Sequence, residues 1–200
     1  MAGHSARSRL LAALGAASGA SSDFDLNPDF RPPERAELRP AAVLVAVIET
    51  ISGPQVLLTK RSSRLKHHPG QIAFPGGKVD AGDACVIAAA QREAEEEVGL
   101  DPGLVEVLGE LPLHETVTGY TVTPVLGWIR AGFAPRPEAG EVEEVFWVPL
   151  AHVTDPARFR VERRVWLGQP RRYYVVPYGP YYIWGATARI LRGLAERMAP

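Results

Sequence analysis

The sequence has little with which to cross-link itself, span a membrane or grip a polyanion. It carries one cysteine, Cys85, so no internal disulfide can form. That fits a reducing compartment, and a cytoplasmic location is expected. No apolar run approaches the roughly 20 residues that cross a bilayer, which argues against an integral membrane protein and leaves no membrane partner to expect. Lysine is scarce: Lys60, Lys66 and Lys78 are the three among 22 basic residues, and the formal net charge is −1. With so many Ala and Pro residues, that scarcity reads as genome composition. The charge gives no whole-chain field for holding DNA or RNA, so no nucleic-acid partner is expected. What is present suits a globular protein. The 200 residues are 46% hydrophobic and 22% charged. A chain of this length buries roughly 70% of its unfolded surface as one domain, or one domain with extensions.

The organisation is a lead-in over residues 1–40 and one strand-rich α/β domain over 41–198. Arg7 and Arg9 precede Leu10-Leu11-Ala12-Ala13-Leu14, and no acid appears before Asp23. This faintly resembles a signal or transit peptide, but Gly15 and Ser18 dilute the apolar stretch, and a short surface helix is the preferred reading. Residues 22–40, with Pro28, Pro32, Pro33 and Pro40, read as an irregular connection. Ala41–Ile48 is a continuous apolar run with three valines, a buried strand. Gly53-Pro54 is expected to turn the chain into a partner strand over Gln55–Thr59. One strong helix is predicted over Ala84–Val98, with Asp83 as N-cap and Gly99 as its left-handed stop. Strands follow at Val105–Leu111, Thr121–Arg130 and Glu144–Val148. A hairpin is expected over Arg158–Leu167 and Tyr173–Tyr178, and a closing helix over Ile183–Met198.

The helix carries the chemistry in Arg92-Glu93-Ala94-Glu95-Glu96-Glu97. At about 100° per residue, Glu93, Glu96 and Glu97 share one face within about 100°. Glu95 points away, and Ile87, Ala90, Ala94 and Val98 form a separate apolar stripe. Like charges at such spacing repel. Clustered carboxylate oxygens are what Mg²⁺ and Mn²⁺ prefer. Arg92, one turn before Glu96, can pair with it. Phe74-Pro75-Gly76-Gly77-Lys78 enters this helix, and two adjacent glycines allow a ligand to approach the backbone closely. A solvated acidic face or an ordinary glycine turn would each explain one of these features; their succession is harder to explain that way.

Gly77, Asp83 and Arg92-Glu93-Ala94-Glu95-Glu96-Glu97-Val98-Gly99-Leu100 resemble the Nudix box, which runs Gly, five residues, Glu, seven residues, then Arg-Glu-apolar-x-Glu-Glu-x-Gly-apolar. The last nine positions fit completely. Asp83 stands where the box has Glu, and 14 residues rather than 13 separate Gly77 from Arg92. Upstream, Leu57-Leu58-Thr59-Lys60-Arg61-Ser62, Lys66, Gly70 and Phe74-Pro75-Gly76-Gly77 are similar to the signature of the coenzyme A pyrophosphatase branch, with Lys66 in place of its Arg. Ile183-Trp184-Gly185-Ala186-Thr187-Ala188 resembles the start of that branch's last helix. The resemblance is dense over residues 57–100 and sparse over 40–198.

The resemblance implies an α/β/α sandwich with a mixed sheet, and Mg²⁺- or Mn²⁺-dependent hydrolysis of the diphosphate in coenzyme A or its thioesters. Glu93, Glu97 and the Gly77 carbonyl would hold metal, with Glu96 beside them. The base would come from a later loop, where Glu144 and Glu141 are favoured over Glu143, and Glu96 is next in line. Lys60, Arg61, Arg64 and Lys66 would meet the phosphates of the small-molecule substrate. His67 and His68 are read as loop residues, His114 and His152 as structural, and Cys85 as a buried structural thiol. The tyrosines Tyr173, Tyr174, Tyr178, Tyr181 and Tyr182 are read as core and edge packing rather than as a platform for adenine. The competing readings are a hydrolase of ADP-ribose or a dinucleotide, and a non-catalytic module that senses a nucleotide. Oligomeric state is left open.

Overall fold

The computed structural model describes residues 5–17, 19–29, 37–166 and 168–199. Ser18, Pro32 and Pro33, and the last residue of the hairpin strand expected to end at Leu167, lie outside the described residues. In chain order the elements are α1 (Ala6–Gly15), β1 (Ser21–Ser22), β2 (Arg39–Thr50), β3 (Gly53–Arg61), β4 (Ile72–Ala73), β5 (Gly76–Lys78) and α2 (Val86–Val98). Then come β6 (Val105–Glu110), β7 (His114–Glu115), β8 (Tyr120–Ile129), β9 (Val142–Pro149), α3 (Leu150–Val153), β10 (Arg160–Trp166), β11 (Gln169–Val175) and α4 (Gly185–Met198).

β2 is the axis of the main sheet. It pairs parallel with β8 from Arg39↔Tyr120 to Ile48↔Ile129. It pairs antiparallel with β3 and with β5. β9 adds antiparallel to β3, β6 and β7 to β8, and β1 runs parallel to β7. β10 and β11 form a separate antiparallel hairpin. The sheet is mixed, as expected.

The apolar run in β2 is continuous because both its faces are covered. Ala41, Val45 and Val47 join Leu10 of α1 and Leu191 and Leu194 of α4 in one cluster. Ala42, Leu44, Ala46 and Ile48 join Ala90, Ala94 and Val98 of α2 in the other. The period of two along the strand thus sends alternate residues to opposite layers. This is an α/β/α sandwich.

Three expectations shift. The turn between β2 and β3 falls at Ile51-Ser52, and Gly53 and Pro54 already pair with Thr50 and Glu49. The Thr50 hydroxyl makes that turn by donating to the Gly53 carbonyl at 2.7 Å. The N-terminal helix exists, but it is docked rather than superficial, with Leu10 and Ala13 buried. Arg197 ties down its C-terminal end by donating to the carbonyls of Ala13 and Ala16 at 2.8 and 2.7 Å. Cys85 is exposed, not buried, because it stands before the first turn of α2 as its N-cap. Among the described residues no helix is long and apolar enough to cross a membrane.

Candidate active site

The glycine loop is pressed between β2 and α2. A Cβ at Gly76, where φ is +156°, would lie 2.6 Å from the Val43 Cα. A Cβ at Gly77 would fall 2.5–2.6 Å from the Glu93 carboxylate. Only glycines let this backbone reach the acidic face of α2. The Gly76 N–H donates to Glu97 Oε2 at 3.3 Å. Gly99 ends the helix in the left-handed region at φ 71°, and its N–H returns to the Ala94 and Glu95 carbonyls.

The three carboxylates of the shared face differ in environment. Glu97 is 4% exposed; burial pushes its pKa up to about 8, against the pull of Arg61 and the Gly76 N–H. Burial also raises Glu93, partly offset by Arg92. Glu96 is open to solvent, and Glu95 is exposed. Arg61, at the end of β3, brings its Nη1 to 3.9 Å from Glu97 Oε1.

Arg92 organises this face. Its Nε and Nη2 donate to the two oxygens of Asp83 at 2.9 Å each. Its Nη1 donates to Glu93 at 3.0 Å and Glu96 at 3.1 Å, and its Nη2 also reaches the Lys78 carbonyl at 3.2 Å. Asp83 is therefore not the helix cap. Arg92 holds its carboxyl down at about 2, and it also accepts the Asp80 N–H at 2.8 Å. α2 starts at Val86 with no side-chain cap. Nothing in the linear sequence marks a partner nine residues before Arg92; the folded loop makes it.

We expect Arg92→Lys, which keeps the charge but cannot fork across Asp83, to lower turnover and apparent Mn²⁺ affinity roughly 10–100-fold. Turnover at saturating metal and a Mn²⁺ titration check this. Parental values in both would show that the fork does not orient the acids.

The candidate bases separate. Glu141 is exposed in the turn before β9, and its charge repels both Glu93 and Glu97. The turn is held against α2 by the Glu138 N–H donating to the Glu97 carbonyl at 2.9 Å. Glu143 is drawn to Lys60 Nζ at 2.6 Å and to the Ser63 N–H. Glu144 accepts from the Tyr181 hydroxyl. Its strand neighbour Phe146 stacks on the Tyr181 ring and packs in the α4 layer, away from α2. Glu144 thus lines a different cleft, with Lys60, Tyr181 and Tyr182. Arg64 and Lys66 are exposed on the loop after β3, and the cation of that segment that meets an acid of α2 is Arg61. His114 is fully buried, with Ser21 at 2.9 Å, and His152 contacts the Pro177 carbonyl.

Among the described residues no three His, Cys, Asp or Glu side chains converge on one point as a ready cage. Arg92 draws Glu93 aside, and Gly76 holds Glu97. The donor set is one buried and one half-buried carboxylate against a glycine backbone that admits no side chain. That set fits Mg²⁺ or Mn²⁺, which retain waters and accept substrate phosphate oxygens rather than requiring an all-protein cage.

A NUDIX domain is matched over residues 38–168. An uncharacterized Nudix hydrolase, NudL, from Shigella boydii serotype 4 is 48% identical over 160 residues, covering 78% of this chain and 81% of that one. NudL from Escherichia coli O1:K1 matches to the same extent. Among solved structures, the NUDIX domain of Shewanella oneidensis NrtR, complexed with ADP ribose, is 18% identical at TM-score 0.53. It covers 86% of this chain and 93% of that chain, a likeness of fold.

Proposed function

The chain belongs to the NUDIX family, and on that premise we propose that it hydrolyses the diphosphate of coenzyme A or its thioesters. The products would be 3′,5′-ADP and 4′-phosphopantetheine, or its acyl form. The observation that carries this reading is the meeting of two sequence features at one place. The Arg61 of the Leu57–Gly77 signature lies 3.9 Å from Glu97, the buried acid of the helix face. The cation that would meet a substrate phosphate and the carboxylate that would hold metal therefore share one site.

In this mechanism Glu93 and Glu97 would hold the cation, and the Gly77 carbonyl would be a further donor. A bound Mg²⁺ or Mn²⁺ supplies charge neutralisation at phosphorus and activation of water. Arg92 fixes the rotamer of Glu93, and Asp83 fixes Arg92. Arg61 orients a non-bridging phosphate oxygen for in-line attack. Glu141 takes the proton of the attacking water on a carboxylate oxygen. Catalysis in this scheme is mainly positioning and charge stabilisation.

Turnover of coenzyme A with Mg²⁺, repeated with a chelator, tests the reading. Release of 3′,5′-ADP, lost on chelation, is expected. Rapid cleavage of ADP-ribose with coenzyme A untouched would replace the substrate, and nucleotide binding without cleavage of any diphosphate would make the chain a sensing module.

A further inference from the structure

Beyond the acidic face lies a cleft of about 590 Å³ whose lining includes Asp23, His68, Gln71, Arg164, Tyr173 and Trp184. Its volume falls in the range of small-molecule sites. It adjoins the smaller cleft of Lys60 and Glu144, and the two share Gly70 and Trp184. Its rim is tied to the strand that carries Arg61. The Gly70 N–H donates to the Arg61 carbonyl at 3.0 Å, and the Arg61 N–H donates to the Gln71 carbonyl at 2.9 Å. The rim of this cleft is thus bonded to the residue whose guanidinium stands 3.9 Å from Glu97.

One wall is a face of the β10–β11 hairpin. Arg164 sits opposite Arg171 and Glu162 opposite Tyr173, so all four project from the same side. Three of them have partners. Arg171 pairs with Asp23 at 3.1 Å, Glu162 accepts from the Tyr182 hydroxyl at 2.6 Å, and Tyr173 packs edge-on against Trp184 with ring centroids 5.2 Å apart. Arg164 lies over the Trp184 ring at 5.5 Å, with no carboxylate partner among the described residues. The cleft therefore presents an aromatic surface with a guanidinium above it that meets no carboxylate among the described residues. Asp23, Tyr173 and Trp184 all fall outside the segment 38–168 that matches the shared domain. Arg164 and the 68–71 loop fall inside it, so the cleft is built jointly by the shared domain and the segments that flank it.

We infer that this cleft is the subsite for a purine nucleoside bearing a phosphomonoester: the base packs on Trp184 and Tyr173, and Arg164 takes the phosphate. The inference rests on the coenzyme A reading and deepens it, because the 3′-phosphate distinguishes coenzyme A from other adenosine diphosphate derivatives. An arginine suits the task, since its planar fork matches phosphate oxygens and it stays charged at any working pH. An aromatic pair stacks on a base whatever its edge pattern, which leaves selectivity to the phosphate contact. Arg164 is a specificity residue here and touches no reacting atom.

The test is calorimetric titration of the full chain, without metal, with adenosine 3′,5′-bisphosphate and with 5′-AMP. The parent protein should bind the bisphosphate at least tenfold more tightly, and Arg164→Ala, at an exposed position, should erase that preference. Tyr173→Leu should weaken both nucleotides; unchanged affinity there would overturn the placement of the base. In turnover, Arg164→Ala should raise the KM for coenzyme A about tenfold with little change in kcat. Absence of a preference in the parent, its survival in Arg164→Ala, or equal weakening of both nucleotides by Arg164→Ala would overturn the phosphate assignment. Cleavage of ADP-ribose but not coenzyme A by the parent would end the substrate reading, and the titration would still decide the cleft.

Discussion

Glu97→Gln should lower turnover by about 10³-fold or more, because a divalent cation is worth several kcal/mol of charge stabilisation in such a reaction. The carboxylate to be lost is the most buried of the acidic face, at 4% exposure, and it already accepts the Gly76 N–H. Glutamine keeps that acceptor and the side-chain volume while removing the charge. Burial has pushed the parent carboxyl up to about 8, so its ionised form is costly in the metal-free protein and a neutral amide is not. The Tm of the metal-free variant should therefore fall by no more than about 4 °C, about 1 kcal/mol at this size. Glu95→Gln, on the exposed opposite face, should keep near-parental turnover. Turnover and thermal melting of both variants decide the matter. Comparable losses in the two, with both folded, would remove the helix-face assignment.

Glu141→Gln should lower kcat by roughly 10²–10⁴, the usual value of a general base, with Mn²⁺ affinity largely retained. Glu141 is the candidate whose charge acts on Glu93 and Glu97. Glu143 is engaged by Lys60, and Glu144 by Tyr181. Glu143→Gln and Glu144→Gln should each cost less than tenfold in kcat. Measuring kcat and Mn²⁺ affinity across the three variants separates them. A large loss in Glu144→Gln with Glu141→Gln near parental would reverse the assignment. Three near-parental rates would pass the role to Glu96, which Arg92 Nη1 holds at 3.1 Å.

The patterns legible in the sequence were those that repeat over a few residues. The alternation of β2 sends Ala41 and Ala42 to opposite layers, and the turn of α2 sets Glu93 and Glu97 against Ala90, Ala94 and Val98. Gly99 stops the helix where its left-handed conformation was expected. Local geometry is fixed by the covalent period of the element, so such features need no knowledge of what lies across the fold. The paired glycines were read as room for a ligand, and in the structure that room is taken by Val43 and Glu93.

What depended on contacts distant along the chain was not legible. Asp83 looked like a cap because it precedes an apolar-periodic run, yet a guanidinium two turns into the helix claims both its oxygens. The separate surroundings of Glu141, Glu143 and Glu144 follow an irregularity between β3 and β9. Lys60 pairs with Glu144 and Arg61 with Val142, leaving Glu143 unpaired between them. A single extra residue in one strand resets which face each neighbour presents, so strand alternation alone does not place Glu141. The aromatic cleft was hidden for a related reason, since its walls come from Asp23, the 68–71 loop, the hairpin and Trp184. The sequence by itself determined the elements, the acidic face and the glycine approach, because each is set within one helix or one loop. Tertiary structure alone decided which late carboxylate acts electrostatically on that face, what holds Arg92 and which residues wall the aromatic cleft, because each of these depends on the register between segments far apart in the chain.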